Sequence, residues 1–389
     1  MFSTLAWPVL ALLAGLPAAA EPPPSLPIFD GKTLNGWTKV GGGATFRVED
    51  GTFVGDVGPG ANTFLRTEKT YGDFRLELDA RLDVPGNSGI QFRSHQKPGE
   101  NGQVFGYQCE IDPSPRAWTA GIYDEGRRGW LFPLTGRPEA QKAFRLDDWN
   151  HFVIEARGPS LQTWLNGVPC ADLIDTEDWE GFIALQVHAG KSGRIRWKNI
   201  TIQDFGHSTP SPLFNGKTLQ GWQASGGGHW SVEDGEIHGT SATAERAHGH
   251  LFSNARFGDF ALRFQVKPER GDSGVYFHAE EAGKSGVAGL QVNIDPEKDT
   301  GGIYEIDGRG WLFRPETAVI QKALKPGAWN TVAIVALADR VVVHVNGTKI
   351  ADLRDDKAAR AGRFALQVHA GQDVDVRFKQ IEVVALDPR

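Results

Sequence analysis

The chain has 389 residues with 41 Lys and Arg against 48 Asp and Glu, a formal net charge of -7. The two signs are interspersed, which excludes a basic stripe for nucleic acid and points to a neutral or small partner. Two cysteines and 48 glycines exclude a disulfide scaffold and a helix-rich fold.

Taken in chain order, the first feature is an apolar run from Leu5 to Leu16 followed by Ala18-Ala19-Ala20. Residues 1–20 thus have the shape of a secretory signal peptide. Pro8 and Pro17 interrupt the run, and it falls short of the ~20 residues a spanning helix needs. The expectation is export to the periplasm or beyond, with no membrane span after cleavage. Pro22, Pro23 and Pro24 form a stiff lead.

From residue 27 the periodicity is two. Phe74–Leu82 alternates apolar and polar residues, as do Arg194–Ile202 and Phe260–Val266, the mark of strands with one face in a core. Asp50-Gly51, Asn166-Gly167, Asp234-Gly235 and Asn346-Gly347 supply the turns. The reading is an all-β sandwich of about a dozen strands over residues 27–205. A polar linker with Pro210 and Pro212 covers 206–212, and a second sandwich covers 213–386. The second is a copy of the first: Ile28–Trp37 returns as Leu213–Trp222, Gly121–Phe132 as Gly302–Phe313, and Phe182–Gly190 as Arg363–Gly371. A solenoid unit runs only about 20–50 residues, so this is a duplicated domain. Cys109 and Cys170 correspond to Val292 and Ile350, so both positions call for a buried hydrophobe; free thiols and a Cys109–Cys170 bond both fit. Trp37 and Trp222 read as core plugs.

Alternation also separates the side chains that leave the core. Gln108, Glu110 and Asp112 share the face opposite Tyr107, Cys109 and Ile111, and copy two places Gln291, Asn293 and Asp295 there. Gln186 and His188 alternate with Leu185 and Val187, matched by Gln367 and His369. Gln91 and Arg93 are matched by Tyr276 and His278. Short hydrogen-bonding side chains with a His, bordered by Tyr123 and Trp130 (Tyr304 in copy two), suit a sugar-sized groove: rings stack on pyranose faces while amides and carboxylates bind hydroxyls. A polar patch with no ligand is the plainer alternative. Glu110 and Arg93 change together in copy two, to Asn293 and His278, which predicts that their side chains meet. Asp112 and Asp295 precede prolines at strand ends, where a turn role competes with ligand binding. A divalent cation held across strands by Glu110, Asp112 and His188 is left open, and no other cofactor is indicated.

Several ordered motifs make the chain recognisable: F-x-G-K-T-L-x-G-W from Phe29, S-G-I-x-F-R at Ser88, G-Y-Q-x-E-I-D-P-S at Gly106, G-I-Y-D-E-G-R-R-G-W-L at Gly121, W-L-N-G-V at Trp164 and L-Q-V-H at Leu185. Together they resemble the 3-keto-disaccharide hydrolase domain, in two tandem copies spanning about Pro27–Phe205 and Pro212–Val384. The resemblance implies a concanavalin A-like jelly roll in an exported bacterial protein that cleaves glycosides already oxidised to a ketone at C3. Such cleavage needs a base for the C2 proton, a stabiliser for the enolate oxygen and a donor for the leaving oxygen. His188 or Glu110 is assigned as base, Arg93 as stabiliser and Tyr123 as donor. Gln91, Gln108, Asp112, Gln186 and Trp130 are assigned to substrate binding, with Gln291, Asn293, Tyr304, His278 and His369 in copy two. Copy two departs at His278 and Asn293, which gives copy one the stronger catalytic claim. The rival readings are tandem lectin-like modules that bind saccharide without cleaving it and a docking domain with a broad apolar patch.

Overall fold

The computed structural model describes residues 22–99 and 102–386; the signal-peptide reading of residues 1–20 lies outside them. The period-two runs form strands as expected. In Asp73–Val84 the side chains of Phe74, Leu76, Leu78, Ala80 and Leu82 are buried while the intervening ones are not. Burying each of the large ones contributes about 1.5–3 kcal/mol, and a register slip of one residue would forfeit all of them.

Each repeat is two antiparallel sheets packed face to face. In the first repeat an eight-stranded sheet runs Val168–Ile174, Ser160–Leu165, Asn150–Arg157, Asp73–Val84, Arg194–Gly206, Thr52–Asp56, Thr45–Glu49, with the two-residue Leu26–Pro27 strand pairing on Arg194–Gly206. A seven-stranded sheet runs Gly129–Phe132, Ile122–Glu125, Val104–Ile111, Ser88–Gln96, Gly181–Val187, Thr63–Tyr71, Trp37–Gly41. The second repeat has the same two sheets in the same order. Short pairs such as Leu26–Pro27 and Ser211–Pro212 bring the strands among the described residues to fifteen per repeat, above the dozen read from alternation. Between the sheets lie two apolar cores, one per repeat. Trp37 and Trp222 plug equivalent corners, each donating its indole N–H to a backbone carbonyl, Ile28 at 2.8 Å and Leu213 at 3.1 Å. Cys109 and Cys170 are buried free thiols.

A bulge in the seven-stranded sheet breaks the alternation. Ser88–Gln96 shifts register against its neighbour between Phe92 and His95, and Gly181–Val187 shifts between Phe182 and Ala184. At this bulge Arg93 takes φ +45°, and its side chain leaves the polar face and enters the protein, fully buried. Its guanidinium donates to the carbonyls of Gly72 (2.8 Å), Gly158 (2.8 Å) and Asp178 (3.1 Å) and to Asp73 Oδ1 (2.7 Å). Residue 181 must be glycine, since a Cβ there would sit 2.3 Å from the Arg93 carbonyl carbon. The second repeat builds the same bulge: His278 has φ +50°, and its two ring nitrogens lie 2.8 Å from the carbonyls of Ala359 and Gly258. Arg93 and His278 therefore tie strand ends together, out of reach of any groove. The expected Arg93–Glu110 pair does not form.

The repeats touch. Ile174 and Trp179 pack on Ala261, Val335, Val342 and Val384, and Arg340 bridges Asp172 (3.0 Å) and Asp352 (2.8 Å).

Removing one partner of a buried ion pair strands the other. Arg93→Ala is expected to cost roughly 3–5 kcal/mol in urea unfolding, and Arg93→His, which copies the second repeat, less. An unshifted Arg93→Ala midpoint would show that the clamp contributes nothing.

Candidate functional site

The seven-stranded sheet presents two rows of side chains away from the core. Cross-strand register sets Phe64 beside Gln186, Gln186 beside Gly89 and Gly89 beside Glu110. The next row is Gln91, Gln108, Tyr123, Trp130. Gly89 is the gap that makes a floor: a Cβ there would meet the Gln108 amide carbon at 2.3 Å, so only glycine lets Gln108 lie flat across the strand.

The amides form a directional chain. Ser94 Oγ donates to Gln91 Oε1 (2.7 Å), Gln91 Nε2 to Gln108 Oε1 (2.6 Å), and Gln108 Nε2 to Glu110 Oε2 (2.9 Å). Asn87 Nδ2 donates to the other oxygen, Glu110 Oε1, at 2.5 Å. Glu110 is only 4% exposed. Burial pushes its pKa up, and the two amide donors and Arg116 only partly oppose this.

Around Glu110 opens a hollow of about 390 Å³ lined by Asn62, Asn87, Gln108, Arg116, Tyr123, Glu125, Trp130 and His188. Arg116 is aimed by Asp112, whose Oδ2 accepts its Nε at 2.8 Å, and its guanidinium lies 4.9 Å from the ring centroids of both Trp118 and Trp130. Tyr123 stands edge-on to Trp130; burial and then Glu125 and Glu110 raise its pKa, keeping the phenol protonated. His188 Nδ1 lies 2.7 Å from the Ala189 carbonyl. A carbonyl can only accept, so Nδ1 carries the hydrogen and Nε2 is left as the acceptor. Glu125 is raised by burial and lowered by Asn62 and His188. A second, more apolar hollow of about 650 Å³, lined by Phe64, Val104, Ala61 and Ala189, shares Asn62 and Glu125 with the first.

Of the residues expected from the sequence, Gln108, Glu110, Tyr123, Trp130 and His188 meet in this one hollow. Four others in the first repeat do not line it. Arg93 is the buried clamp. Gln91 is fully covered and acts through Gln108. Asp112 is 3% exposed, closing a turn on the Ser114 N–H and holding Arg116. Gln186 is fully buried beside Glu125, lowering its pKa but meeting no partner at hydrogen-bonding geometry. The cation triad does not assemble either: Asp112 is spent on Arg116, and among the described residues no three His, Cys, Asp or Glu groups come together to hold a metal ion. Missed were Asn62, Asn87, Arg116 and Glu125. Three of these lie outside strands, where alternation says nothing, whereas Glu125 follows Tyr123 by two and was readable as its face-mate.

In the second repeat His278 is the correction already given. Gln291 and Asn293 are buried on the equivalent face, and Tyr304 and His369 are half-buried there. Gln291 Nε2 donates to Gln367 Oε1 and Gln367 Nε2 to Tyr276 Oη, both 2.8 Å, so this amide chain runs away from Asn293.

Residues 25–203 and 209–384 each match the model of the 3-keto-alpha-glucoside-1,2-lyase-like domain. Among solved structures, a candidate glycosyl hydrolase from Parabacteroides distasonis is 22% identical, with 46% of this chain and 94% of that one covered and a TM-score of 0.35. The carbohydrate-binding module CBM66 of Bacillus subtilis is 18% identical (42% and 95% covered, TM-score 0.34). A Bacillus subtilis protein with a galectin-like fold is 13% identical (44% and 92%, TM-score 0.36). No curated protein matches the chain.

Asn87→Asp sets a second carboxyl against Glu110, and two such groups in contact cannot both ionise freely. The pair is expected to lose its protons in two steps, the upper one roughly 1 unit or more above Glu110 alone, followed by carboxyl ¹³C NMR. An unchanged Glu110 titration would rule out the Asn87–Glu110 contact.

Proposed function

The chain belongs, twice over, to the 3-keto-alpha-glucoside-1,2-lyase-like family, and from that premise we propose that its first repeat cleaves 3-keto-glycosides by elimination across C1 and C2. A C3 ketone acidifies the C2 proton. A base removes it, the electron pair forms the C1=C2 bond, and the C1–O bond breaks with protonation of the leaving oxygen; water can then add across the double bond.

The observation that carries this reading is Glu110, a carboxyl whose affinity for protons is raised by burial yet which lines an open hollow beside an imidazole and a guanidinium. In this reading Glu110 takes the C2 proton, a role for which a raised pKa is an advantage. Arg116 takes the part first given to Arg93: its charge faces the hollow and offsets that of the enolate. Tyr123 protonates the leaving oxygen. His188, with Nε2 free to accept, and Asn62 bind ring hydroxyls. The polar hollow takes the keto-sugar and the adjoining apolar one its leaving group. The N-terminal apolar run supports action after export.

Elimination has a signature that displacement at C1 lacks. A 3-keto-disaccharide deuterated at C2 is expected to lose its label to solvent during cleavage, and to react more slowly than the protiated sugar, against an enzyme-free control. Because the base must be ionised, kcat/KM should rise with pH through a limb above the ordinary carboxylate range. Cleavage with the label retained would discard the mechanism, and saccharide binding without cleavage would favour the lectin-like reading.

A further inference from the structure

The second repeat has lost Glu110 to Asn293, which by itself would leave a face without its acid. Its neighbour has changed too. Asp272 stands where the first repeat has Asn87, and the backbone around the pair is unchanged: Gly274 opposes Asn293 as Gly89 opposes Glu110. Ser273 Oγ donates to the Gln367 carbonyl (2.7 Å) as Ser88 Oγ does to Gln186 (2.6 Å). One acid and one amide therefore persist at the same place, with the positions that carry them exchanged.

The rest of the face is equipped as well. Asp272 is joined to the histidine segment by its own carbonyl, which accepts the His369 N–H at 3.3 Å, while its buried Oδ1 has no hydrogen-bond partner. His369 Nδ1 lies 2.6 Å from the Ala370 carbonyl, which leaves Nε2 as acceptor, the tautomer also found at His188. His248 replaces Asn62 and takes the same backbone N–H, from Ala370 at 3.1 Å; its ring lies 4.3 Å from that of His369. His250, 1% exposed, has an unpartnered Nε2. Tyr304 and Trp311 repeat the Tyr123–Trp130 pair at the same 5.3 Å centroid separation. Arg314 lies 5.2 Å from the Trp311 ring, standing in for Arg116. Glu125 has become Ile306, which leaves Asp272 as the carboxyl among the residues equivalent to the hollow's lining.

We propose that the second repeat is a second elimination site for 3-keto-glycosides, with Asp272 as the base in place of Glu110. The inference rests on the elimination reading of the first repeat. The C2 proton passes to the Asp272 carboxylate, the electron pair forms C1=C2, the C1–O pair departs with the leaving oxygen, and that oxygen takes the Tyr304 proton; water carries the proton from Asp272 back to Tyr304. Burial holds the Asp272 pKa at about 6, with Asp295 and Asp299 adding to the rise and His369 opposing it.

The test uses the full chain and the C2-deuterated 3-keto-disaccharide. Glu110→Gln is expected to leave a residual turnover whose kcat/KM rises with pH through about 6, since an Asp base works only when ionised. Adding Asp272→Asn should remove at least about 10²-fold of that residue, the usual contribution of a general base. In the Glu110→Gln background, Asp272→Asn with Asn293→Glu restores the first repeat's arrangement and should recover activity, which separates lost chemistry from lost folding. If Glu110→Gln alone is as inactive as the double variant, the second site is refuted while the elimination reading stands. If the unaltered chain releases no label, both fall together.

Discussion

A carboxyl group taken almost wholly out of water must have both oxygens answered, or it will not stay charged. Around Glu110 the sheet supplies the answer in amides: Gln108 to one oxygen, Asn87 to the other, with Gln91 and Ser94 behind Gln108 fixing which way its amide points. That chain needs a flat path across a strand, and Gly89 is the position that clears it. Glycine in a strand interior is otherwise a weakness. Here the loss is offset by a floor on which a buried acid can be held at a fixed angle to a cation and two rings.

The two repeats divide along a physical line. Between the sheets, substitutions exchange one apolar side chain for another: Cys109 for Val292, Leu161 for Val341, Ile90 for Val275, all buried. On the outer face of the seven-stranded sheet they change chemistry: Phe64 for His250, Gln91 for Tyr276, Glu125 for Ile306, Asn62 for His248. Close packing punishes even one methylene in a core, whereas side chains that touch only one another and a ligand can be exchanged in sets. The bulge belongs to the conserved part. Arg93 and His278 are different groups with one task, satisfying backbone carbonyls of the turns and loops that meet behind the bulge.

The same division governs how much could be read from residues alone. Strict alternation put Gln108, Glu110, Gln186 and His188 on one face because the pairing at and around these positions is regular. It placed Arg93 and His278 there wrongly, since a left-handed residue at a bulge reverses the direction of its side chain and nothing in S-G-I-Q-F-R announces it. Pattern also cannot tell a residue on a face from one open to a ligand: Gln91 and Gln186 point the right way and are covered. Arg116 and Asn87 come from loops, whose course depends on the Asp112 turn and on where the neighbouring strand begins. The Asn87–Asp272 exchange was visible by aligning the copies, but it acquires meaning only once the Asn87–Glu110 contact is known.

The arrangement of the eight-stranded sheets has a further effect. In the first repeat that sheet ends at Val168–Ile174, a margin whose outward backbone groups would otherwise offer a template for another chain. Ile174 and Asp172 of this strand are taken up by Val335, Val342 and Arg340 of the second repeat. Duplication thus does more than double the number of faces: the second sandwich covers one end of the first one's outermost strand, and a fragment cut at the linker would expose Ile174 and leave Asp172 without Arg340.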